Sequence, residues 1–153
     1  MADSYSKIQI HVVFAVKYRN ALIHADWEEE LYKYITGIVT AKGHKLLAIN
    51  GMPDHIHIFI GLRPVEALSA LVREIKKAST NFINQRGFIQ HKFQWQEGYG
   101  SFSYAESQVK TVVNYILNQK EHHAVKKFNR EFIEMLQEFG VEYTVEHLFK
   151  DAA

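Results

Sequence analysis

The chain has 153 residues, 47% of them apolar, with ten Phe and no cysteine. That length suits one domain, and burying about two-thirds of its unfolded surface would fold it without disulfides or a structural metal. The missing thiols exclude thiolate metal sites, iron–sulfur clusters and cysteine nucleophiles, and they fit a reducing compartment.

The 18 Lys and Arg against 17 Asp and Glu leave a formal charge of +1, weaker than the footprint of most nucleic-acid binders. The charge is clustered instead. Lys17-Tyr18-Arg19, Arg73 with Lys76 and Lys77, and Lys126-Lys127 with Arg130 are basic, whereas Glu28-Glu29-Glu30 is acidic. The start Met1-Ala2-Asp3-Ser4 has no basic-then-apolar signal pattern, and no apolar run approaches the ~20 residues of a membrane span. A soluble, cytoplasmic protein is the expectation.

Residues 8–16 (IQIHVVFAV) are rich in β-branched and aromatic side chains and read as a buried strand. Asp26 is the expected N-cap of a first helix, with Glu29 completing a capping box. Trp27, Leu31, Tyr34, Ile35, Ile38 and Val39 follow at helical spacing, and Gly43 stands where a terminating glycine belongs. Residues 45–50 read as a second strand, 51–54 as a turn and 55–62 as a third strand.

Pro64 is expected to open a second helix with Leu68, Leu71, Val72, Ile75 and Phe82 on its apolar face. Arg73, Lys76, Lys77 and Thr80 occupy the other face, and Gly87 ends the helix. Residues 93–96 are the candidate fourth strand, and Gly98-Tyr99-Gly100 reads as a hinge or tight turn. A third helix is expected over 106–122 and a fourth over 125–139, closed by Gly140; the tail to residue 153 has no assignable place. With no repeat, low-complexity run or long linker, residues 1–153 read as one domain: a core over about 8–123, then a C-terminal helix and tail. The order strand–helix–strand–strand–helix–strand predicts an α+β, ferredoxin-like split βαβ sandwich with an antiparallel sheet.

Within the third strand, side chains alternate faces, so His55 and His57 point the same way, roughly 6.5–7 Å apart. Ile56, Ile58 and Ile60 take the opposite face as core. Two same-facing imidazoles fit either the solvated side of a half-exposed strand or two ligands of one metal ion. Histidine twice after a Pro-Asp turn favours the ligand pair, because imidazole is a common transition-metal ligand. A structural zinc site is disfavoured, since it needs four protein ligands and thiolates are absent.

On the third helix Val109, Val112, Val113, Ile116 and Leu117 form one apolar stripe. Tyr115 lies roughly 130° from the centre of that stripe and shares a face with Thr111, Gln119 and His122. Gln119, one turn on, can reach the space before the phenol. A tyrosine, a side-chain oxygen and a metal-bearing histidine pair suit phosphoryl transfer through a covalent intermediate. A free phenol, with a pKa of about 10, needs activation at neutral pH.

The strand end Phe14-Ala15-Val16-Lys17-Tyr18-Arg19, the run Met52-Pro53-Asp54-His55-Ile56-His57 and the run Asn114-Tyr115-Ile116-Leu117-Asn118-Gln119 together resemble one family. It is the single-tyrosine HUH transposases of the smallest bacterial insertion sequences, the IS200-like transposases. The resemblance covers about residues 8–123. It implies a ferredoxin-like core and a DNA transposase that cleaves and rejoins single-stranded DNA at insertion-sequence ends. The implied intermediate is a 5′-phosphotyrosine with a free 3′-OH. Carried over by position, His55 and His57 become metal ligands, Tyr115 the nucleophile and Gln119 the third protein ligand. The implied ion is Mg²⁺ or Mn²⁺. The implied partners are single-stranded DNA with subterminal hairpins and a second copy of the chain, in a homodimer whose active sites are shared between subunits. Lys17, Arg19, Arg73, Lys76 and Lys77 are candidates for phosphate contact or simply a solvated face. Two other readings stay open: a non-catalytic hairpin-binding relative, and a metal-dependent hydrolase using water.

Overall fold

The structure is a computed structural model that describes residues 5–122 and 127–148. Strand β1 (Gln9–Ala15) leads through a 3-10 turn over Lys17–Arg19 to helix α1 (Ala25–Ala41), then to β2 (Lys45–Met52) and β3 (His55–Gly61). Helix α2 (Leu68–Arg86) returns to β4 (Gly100–Tyr104). The sheet order is β2-β3-β1-β4, with every neighbouring pair antiparallel. This is the expected ferredoxin-like arrangement.

The register assigns the two faces of the sheet. Residues directly opposite in an antiparallel pair share a face. Ile10, Val12 and Phe14 of β1 stand opposite Ile60, Ile58 and Ile56 of β3. These side chains pack with Leu31, Ile35 and Val39 of α1 and Leu71, Val72 and Ile75 of α2. Each fully buried aliphatic side chain there stabilises the fold by roughly 1.5–3 kcal/mol. The other face carries His11, Val13 and Ala15 opposite Phe59, His57 and His55.

That second face is covered by the C-terminal part of the chain. Helix α3 (Val109–Leu117) is followed by the short α4 (Gln119–His122), then α5 (Phe128–Glu138) and the short α6 (Val145–Leu148). Val112 and Ile116 of α3 pack on Ala48 and Phe59. Phe128, Phe132, Met135 and Leu136 of α5 pack on Val13, Ala15 and Phe102.

Several boundaries differ from the sequence expectation. Asp26 is not the N-cap of α1: His24 holds that position without a side-chain cap, and Asp26 stands in the first turn, where its charge suits the positive helix end. Helix α2 begins at Leu68 and not at Pro64. Residues 93–96 form no strand beyond a single bridge from Trp95 to Val16. Trp95 serves the core instead, its indole N–H donating to Ser79 Oγ of α2 at 2.9 Å. The fourth strand starts at Gly100, a position whose sequence suggests a hinge or tight turn. Gly98 supplies the turn with φ +81°, while a Cβ at Gly100 would stand 2.5 Å from the Phe132 ring. Gly100 therefore stands in a strand and admits α5 to the sheet. The expected third helix is broken after Leu117, where Asn50 Nδ2 donates to the carbonyls of Ile116 and Leu117 at 3.1 Å each. The start of the expected fourth helix at Val125, the cluster residue Lys126 and the end of the tail lie outside the described residues.

Candidate active site

The second face of the sheet gathers His55, His57, Tyr115 and Gln119 within one chain. Backbone N–H groups of Leu22 and Ile23 donate to Pro53 O at 3.0 and 2.9 Å, and that of Val16 donates to Asp54 O at 2.8 Å. The Pro53-Asp54 turn is thereby pinned to the residues after β1. From it the Asp54 carboxylate accepts a hydrogen bond from His55 Nδ1 at 2.7 Å. That bond fixes the ring so that Nε2 faces the site. His57 is held by a buried neighbour: its Nδ1 shares a 2.8 Å hydrogen bond with Nε2 of His11. Both His55 and His57 are 0% exposed.

Two groups that the sequence reading did not name complete the arrangement. Glu131 of α5, 3% exposed, places Oε1 3.2 Å from His57 Nε2 and 3.5 Å from His55 Nε2. Its Oε2 accepts the phenolic O–H of Tyr115 and, at 3.0 Å, the amide N–H of Gln119. Gln119 turns its Oε1 toward His55 Nε2 at 3.3 Å. Among the described residues, His55, His57 and Glu131 offer ligand atoms that all lie within 4.8 Å of one another. With Gln119, this set of two imidazoles and two oxygens fits a divalent ion that accepts nitrogen and oxygen donors. His11 is the second unnamed group. Each had a faint signal: Glu131 interrupts the apolar stripe Phe128, Phe132, Met135, and His11 interrupts an apolar strand.

The electrostatics follow from burial. The pKa of His11 is lowered well below the ordinary histidine value by burial and by the neighbouring His57. Burial also pulls His55 down, but the hydrogen bonds to Asp54 and Glu131 outweigh it, and its pKa is raised. The Tyr115 phenol is pushed up, first by burial and then by the adjacent Glu131 carboxylate. A cavity of about 460 Å³ opens beside it, lined by Thr111, Tyr115, Glu131, Glu134 and Glu138 among others. The carboxylates on that wall would repel a phosphate unless a cation offsets them.

The basic candidates lie elsewhere. Lys17, Arg73, Lys76 and Lys77 line one groove of about 490 Å³ with Thr80, Asn81, Gln94 and Gln96. Arg19 reaches the same wall, donating from Nη1 to Gln96 Oε1 at 3.3 Å. Tyr18 and Arg19 hold left-handed backbone angles, φ 61° and 54°, a conformation that costs a non-glycine residue about 1–2 kcal/mol. Lys76 is tied down by donating to Gln96 O at 2.8 Å, and burial pushes its ammonium down to about 8. Among the described residues no helix is long and apolar enough to cross a membrane.

Comparison with known proteins matches residues 4–119 to the family model described as "Transposase IS200 like". The ISDra2 transposase TnpA of Deinococcus radiodurans is 26% identical over 73 residues, so the alignment spans 48% of this chain and about half, 52%, of that protein. The transposase for insertion sequence element IS200 of Salmonella typhimurium is 25% identical over 126 residues, covering 79% of this chain and 82% of the relative. Two solved structures share the fold. A crystal structure from Deinococcus radiodurans R1 has a TM-score of 0.63 at 23% identity, covering 78% of this chain and 95% of its own. A REP associates tyrosine transposase, solved bound to a REP hairpin, has a TM-score of 0.60 at 18% identity, covering 80% and 73%.

Proposed function

We propose, because this chain belongs to the IS200-like transposase family, that it cuts and rejoins single-stranded DNA through a covalent bond to Tyr115. The observation that carries this reading is the convergence of Tyr115, His55, His57 and Gln119 on the buried carboxylate of Glu131.

In the cutting step the Tyr115 oxygen attacks phosphorus and the bond from phosphorus to the 3′ oxygen breaks. The phenol proton passes to Glu131 Oε2, which already accepts it in a hydrogen bond. The leaving 3′ oxygen takes up one proton, which Glu131 gives back through water, and departs as a hydroxyl, with a 5′-phosphotyrosine remaining. Rejoining runs the same exchange in reverse, a 3′-OH displacing Tyr115. His55, His57 and Gln119 would hold Mg²⁺ or Mn²⁺, which when bound polarises the scissile phosphate and offsets the charge developing on it. Asp54 and His11 keep the two imidazoles turned toward that position.

The substrate in this reading is single-stranded DNA carrying hairpins at the ends of an insertion sequence, met in the cytoplasm. Lys17, Arg73, Lys76 and Lys77, with Arg19 beside them, would contact its phosphates, since a groove with four cations against the single carboxylate of Glu97 attracts a polyanion. The chain would act as a homodimer, its active sites either shared by exchange of α3 between subunits or each built from one chain's Tyr115 and histidines.

The test is an assay with Mg²⁺ and labelled single-stranded DNA taken from either side of the gene. A denaturation-resistant protein–DNA adduct is expected with the wild type and none with Tyr115→Phe. Equal adduct from both would overturn the nucleophile. Hairpin binding without any cleavage, whatever the metal, would make the protein a binding relative.

A further inference from the structure

Glu131 is the residue that touches both halves of the site. Its Oε1 faces the two histidines at 3.2 and 3.5 Å, and its Oε2 holds Tyr115 and Gln119. Neighbouring donors around one ion stand about 3.0–3.4 Å apart when each bond is ~2.1 Å, for octahedral or tetrahedral arrangements. The 3.2 Å from Oε1 to His57 Nε2 falls within that range and the 3.5 Å to His55 Nε2 lies just beyond it, a spacing that a shared ion would draw in only slightly.

We propose that Glu131 joins the metal site to the nucleophile: Oε1 is a further ligand of the divalent ion held by His55 and His57, while Oε2 fixes the phenol beside it. The inference rests on the reading of Tyr115 as nucleophile only for its second half. The first half stands on the donor geometry alone.

Charge supports the assignment. His55, His57 and Gln119 offer neutral donors and are themselves fully buried, and hard divalent cations favour anionic oxygen. A buried ion with neutral ligands alone would lack a compensating charge. Asp54 cannot supply it, because its carboxylate is on the far ring nitrogen of His55. Glu134 and Glu138 line the cavity beside Tyr115 but are not in the group whose ligand atoms converge with the histidines. Glu131 is the carboxylate among the described residues that does both.

The local sequence explains how it gets there. Phe128, Phe132, Met135 and Leu136 seat α5 on Val13, Ala15 and Phe102, and Gly100 leaves room for the Phe132 ring. Glu131 lies three residues after Phe128 and four before Met135, so it is carried down on the same face. Gln119 then acts as a positioning residue: its amide N–H holds Oε2, leaving Oε1 turned toward the imidazoles. Metal and phenol are thus tied to one side chain, and disturbing it should disturb both.

The experiment measures Mn²⁺ binding to the full chain without DNA, by the loss of the free-ion paramagnetic signal, alongside adduct formation. Wild type should bind one ion per chain. Glu131→Ala should weaken Mn²⁺ binding by at least about tenfold, and Glu131→Gln, which keeps shape and one oxygen but no charge, by less. Tyr115→Phe should leave the affinity within about twofold, because the phenol is not a ligand. Both Glu131 variants should lose the adduct even at saturating Mn²⁺. Wild-type affinity in Glu131→Ala and Glu131→Gln, or no Mn²⁺ binding by wild type, would overturn the proposal and leave the role of Tyr115 to its own assay. Weakened Mn²⁺ binding in a protein that never forms an adduct would support the ligand assignment and sink the nucleophile.

Discussion

Both faces of one sheet are buried, one in a purely apolar core and the other with a polar cluster set among apolar contacts. On one, Ile56, Ile58 and Ile60 meet α1 and α2 in a dry core. On the other, residues one step along the same strand place His55 and His57 at 0% exposure under α3, α4 and α5. Burial alone therefore does not mark the core. The second face is paid for by hydrogen bonds: His55 to Asp54, His57 to His11, and Glu131 to Tyr115 and Gln119. A buried polar cluster is generally less stabilising than apolar packing of the same volume. Its presence points to chemistry.

The sharpest way to break this contrast is to separate the site between two chains. Mixing His57→Ala with Tyr115→Phe restores adduct if subunits exchange α3, and restores none if each chain builds its own site. The single-chain geometry predicts none, read by gel after co-expression of the two variants. Next in size, Ile58→Ala should cost about 2–5 kcal/mol in denaturant unfolding, as for other large-to-small core changes. His57→Ala takes a hydrogen-bond partner from the buried His11 and Glu131 and should cost a similar amount, but unlike a core change it should abolish the adduct outright. If His57→Ala left the adduct intact, the polar face would be mere core. The smallest effect concerns the basic groove. Lys76, pushed down to about 8 by burial, is charged at pH 7 and neutral at pH 9. Raising the pH should then make single-stranded DNA binding less salt-dependent by about one phosphate contact, and Lys76→Met should remove that pH effect. An unchanged salt slope would place the DNA elsewhere.

Much of the fold was legible because period-two alternation in β1 and β3 and helical spacing in α1 and α2 are strong signals. Strand β4 was not. Gly100 and two serines weaken its pattern, and its place comes from pairing with β1. Residues 93–96 looked more strand-like through their aromatics, yet those rings fill the core beneath α2. In the site, His55, His57 and Tyr115 stood out by which way their side chains face. Glu131 did not, because on α5 it shares the apolar face and its partners lie on distant strands and helices. Tertiary contact, which no local period encodes, brings that carboxylate to the histidines.

The most direct measurement is to locate the covalent bond. Wild-type protein, Mg²⁺ and single-stranded DNA would be reacted, the DNA trimmed, and the peptides sequenced by mass spectrometry. A nucleotide 5′-phosphate on Tyr115, absent in His57→Ala, is the predicted result. A phosphate on another residue, or cleaved DNA with no adducted peptide, would contradict the account.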